Sequence, residues 1–217
     1  MGVKKKIKGQ LIVLSGPSGV GKSTVIAELM GQRDNIYFSV SYTTRKPRVG
    51  EQDGVNYNFV DRAEFERMIA DNELLEYAEY SGNYYGTSAK LIDSKLAAGI
   101  DVLLDIEVVG SKIVQTQRPN TPLIFVAPPS FEELSRRLHA RQTDAEEVIQ
   151  RRLERAREEF KEIPRYNYVV VNQNVETAAD EICAILACEH GLDGVADDVR
   201  SKAENCRARV SKSVVEE

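Results

Sequence analysis

Apolar and polar positions alternate along this chain in two distinct periods. Leu11-Ile12-Val13-Leu14 is a short apolar run of the kind that forms a strand buried on both faces. Val25, Ile26, Leu29 and Met30 then recur at helical spacing. Ile36, Phe38, Val40 and Tyr42 alternate with polar residues and predict a strand, and Val55–Val60 predicts another. Asp61 with Glu64 makes a capping box for a short amphipathic helix carrying Phe65, Met68 and Ile69. Leu74–Tyr80 and Tyr84-Tyr85 flank Ser81-Gly82-Asn83, a hairpin signal, and Thr87 opens a helix to about Gly99. Strand and helix then alternate. Val102-Leu103-Leu104-Asp105 and Leu123-Ile124-Phe125-Val126 are strands, the second halted by Pro128-Pro129. Ser130 with Glu133 caps a helix to about Arg141, and Thr143 with Glu146 opens a long charged helix to about Glu162. Tyr168–Val171 is a last strand, followed by a helix over 175–188 that Gly191 stops. From about Asp193 the pattern thins, which predicts a solvated helix or frayed end.

This order predicts an α/β fold with a parallel sheet core flanked by helices. The elements between about 36 and 98 break the strand–helix rhythm and read as an inserted, small mixed α+β subdomain. A chain of 217 residues suits one large domain with such an insertion.

Chemistry enters at Gly16-Pro17-Ser18-Gly19-Val20-Gly21-Lys22-Ser23-Thr24, which fits the phosphate-binding P-loop. Its position between a buried strand and a helix is the context that motif requires. Backbone N–H groups and the helix start make an anion cradle; Lys22 supplies a mobile cation, and Ser23 a hydroxyl for Mg²⁺. A nucleoside triphosphate such as ATP is the expected ligand. The motif is silent on what receives the phosphate.

Arginine narrows the acceptor. Arg45 and Arg48 stand in the loop Thr43–Gly50, and Arg136, Arg137, Arg141, Arg151, Arg152 and Arg155 gather near a second joint. A guanidinium presents a planar fork that grips phosphate with two parallel bonds. Arg45, Arg48, Arg141 and Arg152 are the functional candidates; Arg136, Arg137, Arg151 and Arg155 read as solvated helix faces. Tyr57 and Tyr85 lie beside the basic loop, where a phenol can donate to a phosphate oxygen or simply pack. Glu76, among Leu74, Leu75 and Tyr77, would suit a purine bearing N–H donors, or else faces water at a strand edge.

Composition removes other classes. With 29 Lys and Arg against 34 Asp and Glu, the net charge of −5 disfavours a general nucleic-acid binder. The two histidines, His139 and His190, form no metal-spaced pair. Three cysteines without framework spacing predict reduced thiols, with Cys183 and Cys188 packed in the core. Lys4-Lys5-Lys6 is not followed by an apolar leader segment, and no run reaches membrane-spanning length. A cytoplasmic protein without membrane or nucleic-acid partners is expected; nothing in the sequence sets an oligomeric state.

Beyond the P-loop stretch from Ser15, three further runs carry a resemblance: Phe38–Arg48, Gly54–Val60 and Gly82–Thr87. Over residues 8 to 188 the chain resembles guanylate kinases, nucleoside monophosphate kinases that convert GMP and ATP to GDP and ADP. The resemblance implies a GMP-binding subdomain over 36–98 and a helical lid over 139–165. The core would comprise 8–35, 99–138 and 166–190 of a domain spanning 1–192, with a polar tail over 193–217. It implies that Arg45, Arg48, Tyr57 and Tyr85 clamp the GMP phosphate. Ser41, Glu76 and Thr87 would contact guanine, with Asp105 and Glu107 an acidic pair near the base and the metal. Gly16 to Thr24 would hold ATP with Asn172 near adenine, Arg141 and Arg152 would reach its phosphates, and Ser23 with Asp105 would serve Mg²⁺. Lys22, Arg45, Arg141 and Arg152 would carry catalysis. Glu107, Gln142 and Gln173 depart from residues common in the family, which touches the reach to guanine, the lid and the adenine contacts. Two rivals are a non-catalytic guanylate-kinase-like module that binds phosphopeptides and a related sugar-phosphate kinase. The intact P-loop weighs against the first, and Glu76 with Ser41 against the second.

Overall fold

The structure, a computed structural model, describes residues 8–80, 82–140, 144–191 and 195–211. The predicted cap at Thr143, the residues Arg141 and Gln142, and the basic run Lys4–Lys6 lie outside the described residues. The chain divides into two compact units: Met1–Ile12 with Asn35–Thr121, and Val13–Asp34 with Pro122–Glu217.

In the first unit, β2 (Ile36–Phe38) runs parallel to β7 (Asp101–Asp105), with Ile36 opposite Asp101 and Phe38 opposite Leu103. On the other side of β7, the Val102 N–H donates to the Gln10 carbonyl at 2.8 Å, where β1 (Leu11–Ser15) begins. Val102, Leu103 and Leu104 are buried, as a strand covered on both faces requires. A second sheet has the order β4-β3-β6-β5, built from β3 (Tyr42–Thr43), β4 (Asn58–Phe59), β5 (Leu74–Tyr80) and β6 (Asn83–Ser88). The single strand expected over 36–42 is therefore shared between two sheets, because Ser39 to Ser41 carry the chain from one to the other. The strand expected over 55–60 shrinks to two residues.

Helix α2 (Arg62–Ala70) keeps half of its predicted capping box: the Asp61 carboxylate accepts from the Glu64 N–H at 2.8 Å, while the Glu64 carboxylate takes Arg67 at 2.8 and 2.9 Å. It buries Phe65, whose ring stacks on Tyr84 at 5.2 Å. Thr87 does not open the next helix; it is the buried penultimate residue of β6, and Ser88 caps α3 (Ala89–Ala97). Helix α4 (Val108–Gln117) is absent from the periodicity-based expectation. Its first turns carry Val108, Val109 and Gly110, followed by Ile113 and Val114, residues of low helix propensity. Burial of Val108 and Val114 outweighs that preference.

In the second unit, β1 pairs in parallel with β8 (Leu123–Ala127), which pairs in parallel with β9 (Tyr168–Val171). Around these strands lie α1 (Lys22–Gln32), α5 (Phe131–Ala140), α6 (Glu146–Phe160) and α7 (Val175–Glu189). The cap at Ser130 is half made. Its Oγ accepts from the Glu133 N–H at 3.2 Å, but the Glu133 carboxylate turns to Arg136 and Arg137. The end expected to be solvated or frayed contains α8 (Asp197–Ala208), packed on α7 and β9. Ala203 and Cys206, three apart, are small enough to press against the fold and are buried. Arg207 donates to the Tyr168 hydroxyl at 2.5 Å, and Arg209 grips Glu181 at 2.7 and 2.8 Å. Polar composition concealed this packing because ion pairs fasten much of it. The cysteine expectation also shifts: Cys183 and Cys188 are half-buried, and Cys206 is the buried thiol, pushed up to about 12 by burial.

Candidate active site

In the first unit the basic loop is closed upon itself. Arg45 donates from Nη2 to Glu51 Oε1 at 2.9 Å and from Nη1 to Glu51 Oε2 at 3.0 Å, and Nη1 also reaches the Lys46 carbonyl at 2.8 Å. The Arg48 N–H donates to the same Glu51 Oε2 at 2.7 Å. Glu51 thus ties both ends of the turn to one carboxylate, and the arginine holds that carboxyl below its usual range. The guanidinium stands 5.3 Å from the Tyr57 ring centre and 5.9 Å from that of Phe59. Tyr57 meets Tyr85 edge to face at 5.9 Å. Burial raises the Tyr57 phenol, which keeps it a donor at neutral pH. Arg45, Tyr57 and Tyr85 therefore form one cluster; the Arg48 side chain is exposed beside it. Glu51 went unremarked in the sequence. An acid three residues after Arg48, inside an otherwise basic loop, was the available signal.

Glu76 does not face water. It is 6% exposed on β5, directly opposite Thr87 of β6, whose hydroxyl donates to Glu76 Oε1 at 2.6 Å. Desolvation raises its carboxyl, and the Thr87 bond partly offsets that. Ser41, half-buried, accepts at its carbonyl from the Asn58 N–H at 2.9 Å. Asp105 ends β7 close enough to Tyr57 to act on its phenol, and Glu107 occupies the N-cap position of α4.

In the second unit the P-loop links β1 to α1. Gly21, at φ 94° and ψ 23°, is the N-cap of α1; a Cβ there would lie 2.6 Å from Asn172 Nδ2. A Cβ on Gly16, at φ +143°, would lie 2.3 Å from the Val126 carbonyl oxygen. Neither position tolerates a side chain. Lys22 folds back so that Nζ donates to the Gly16 carbonyl at 2.6 Å, and Ser23 and Thr24 are exposed at the helix start. First-turn N–H groups have no partner one turn back, which makes this end a ready anion site.

Two residues brace that loop. Asn172, 4% exposed after β9, donates from Nδ2 to the Val20 carbonyl at 2.8 Å. Arg137, expected on a solvated face, is half-buried and donates to the Val20 and Asn172 carbonyls at 3.1 and 2.9 Å. Arg137 is also held by Glu133 at 2.7 Å, which is why that acid abandons its cap. Arg152 donates to Ser18 Oγ at 3.2 Å and to Asp144 at 3.3 Å, so one of the two proposed lid arginines lies at the P-loop. The other, Arg141, lies outside the described residues. Among the described residues no group of three or more His, Cys, Asp and Glu side chains could hold a metal, and no helix is long and apolar enough to cross a membrane.

A parallel α/β sheet whose first strand runs through a glycine-rich anion cradle into a helix defines a P-loop nucleotide-binding protein. The family model for guanylate kinase matches residues 8–189. A guanylate kinase of Thermobifida fusca is 53% identical over 178 residues, covering 82% of this chain and 91% of that protein. One from Bacillus subtilis is 50% identical over 186 residues, covering 85% and 91%. The crystal structure of the guanylate kinase from Anaplasma phagocytophilum matches with a TM-score of 0.71 at 35% identity, over 98% of this chain and 99% of that one. The chain belongs to the guanylate kinase family.

Proposed function

We propose that this protein transfers the γ-phosphoryl group of Mg·ATP to GMP, and to dGMP, giving GDP or dGDP and ADP in the cytoplasm. The observation that carries the reading is the pairing, within one unit, of a buried purine-reading acid with a phosphate clamp. Glu76 and Thr87 supply the first; Arg45, Tyr57 and Tyr85 supply the second. An ionised Glu76 accepts from the N1–H and amino group of guanine. Adenine offers no such pair, so AMP would leave a buried carboxylate unpaired. Ser41, Asp105 and Glu107 complete the guanine contacts, and Arg48 closes on the phosphate from the exposed side of its loop.

The acceptor is an oxyanion already, so no general base is required. Catalysis is alignment and charge neutralisation. Lys22 leaves the Gly16 carbonyl for the β- and γ-phosphates, Arg152 exchanges Ser18 for phosphate oxygens, and Arg141 joins it. Movement of the lid (139–165) and the GMP-binding segment (36–98) excludes water and discourages ATP hydrolysis. The Ser23 hydroxyl, exposed at the start of α1, would hold Mg²⁺ together with the nucleotide phosphates, and the ion would add further neutralisation. Such a site suits a cation that keeps most of its water and needs no cage of acids. Asp105 would act on it through water. Asn172, which donates to the Val20 carbonyl, would stand toward the adenine.

The test is coupled ADP release with GMP, AMP and ribose phosphates as acceptors, alongside binding of phosphopeptides. GMP-dependent ADP formation, with AMP and the sugar phosphates poor acceptors, is expected. Phosphopeptide binding without turnover would overturn it.

A further inference from the structure

Glu76 has two oxygens with different neighbours. Oε1 takes the Thr87 hydroxyl at 2.6 Å. Oε2 lies against the first turn of α4, where a Cβ on Gly110 would stand 3.0 Å away. The same Cβ would lie 3.4 Å from Cβ and Cδ1 of Ile106. Gly110 is buried within the helix, and its φ is not in the left-handed region. No turn therefore demands glycine here. Helices disfavour glycine relative to alanine, so the position carries a residue that weakens α4. Ordinary packing accepts a carbon at 3.4 Å or more; at 3.0 Å the carboxylate must retreat by a few tenths of an ångström. It has little freedom to do so, because Thr87 holds its other oxygen and the group is nearly enclosed.

We propose that Gly110 is a specificity-determining position for the base: its lack of a side chain lets the Glu76 carboxylate seat against α4 in the orientation that reads guanine. Gly110 acts through Glu76 and is a positioning residue, not a catalytic one. The inference rests on the reading of Glu76 given above.

The experiment compares wild type, Gly110→Ala, Glu76→Asp and the double variant. It measures kcat and KM for GMP and AMP by ADP release, GMP affinity by calorimetry, and the melting temperature. Gly110→Ala should melt within a few degrees of wild type, because the gain in helix preference and the displaced carboxylate oppose each other. Its KM for GMP should rise about five- to tenfold, with kcat less affected, since misplacement by 1 Å costs on the order of 100-fold. The GMP-to-AMP ratio should narrow accordingly. Aspartate withdraws the carboxylate by one methylene, so in the Glu76→Asp background the same alanine should cost less than about twofold. An equal penalty in both backgrounds, no penalty in wild type, or a penalty that merely follows a lowered melting temperature would overturn the proposal. If Glu76→Asp keeps the wild-type base preference, the reading of Glu76 itself fails and takes the proposal with it. If that variant loses preference while Gly110→Ala changes nothing, only the role of Gly110 falls.

Discussion

Glu76→Gln is the substitution whose consequences the geometry constrains most closely. The amide has nearly the same shape and can still accept from the Thr87 hydroxyl. It cannot present two acceptors to guanine: one arm becomes an NH₂ that faces an N–H donor. Hydrogen bonds to a charged group are worth about 1.5–3 kcal/mol each, and a buried mismatch leaves a donor unsatisfied. The combined loss of about 3–5 kcal/mol corresponds to roughly 10²- to 10⁴-fold in kcat/KM for GMP. Activity with AMP should change far less, so the preference collapses. The unliganded protein should respond in the opposite sense. Burial raises the folded pKa of Glu76 above its ordinary value. The stability contributed by the neutral acid is then full below the unfolded pKa and is lost as pH rises through the folded one. Glu76→Gln removes that loss, so its melting temperature at neutral pH should equal or exceed wild type. The difference should vanish as pH falls below the ordinary carboxylate range. The assays are ADP release with both nucleotides and thermal melts across pH 4 to 8. An unchanged preference between GMP and AMP would refute the argument, as would a melting temperature well below wild type at neutral pH.

Other consequences follow from the same contacts. Lys22→Met should retain the wild-type melting temperature and cost several orders of magnitude in turnover; near-normal turnover would remove Lys22 from its assigned role. Glu51→Gln breaks the two-point grip on Arg45, and steady-state kinetics should show a raised KM for GMP with KM for ATP unchanged; an equal rise in both would point to general unfolding. Arg137→Ala strips the donor from the Asn172 carbonyl, worth about 1–3 kcal/mol if left dry, while the Val20 carbonyl keeps the Asn172 amide alone. Denaturant unfolding should detect that loss together with a weaker apparent affinity for ATP, and wild-type stability would argue against the brace.

The parts of the molecule legible in sequence were those with a local cause. The strand at Leu11, the P-loop and the Asp61 cap each follow from adjacent residues. So does the hairpin over Leu74–Tyr85, though its second strand runs on to Ser88 where a helix was expected to open at Thr87. What escaped depended on distant partners. Ile36 to Tyr42 alternates as one strand, yet its two ends belong to different sheets. Helix α4 hides behind valines and a glycine that local preference assigns elsewhere, and Gly110 is intelligible only once Glu76 is seen against it. Arg137 has the composition of a solvated position and gains its partners from Val20, far away in the chain. Helix α8 carries few apolar residues because arginines reaching Tyr168 and Glu181 do much of the fastening. For the site, residue types and spacing announced the candidates. The Glu51 carboxylate that organises Arg45, and the Thr87 hydroxyl on Glu76, emerged only with the geometry.

The most direct measurement follows one phosphorus atom. The protein is given Mg²⁺, GMP and ATP labelled at the γ-phosphate, and the products are separated. Label is expected in the β-phosphate of GDP, with unlabelled ADP in equal amount and little label in free phosphate. Label released as inorganic phosphate, or left on ATP while GMP persists, would contradict it.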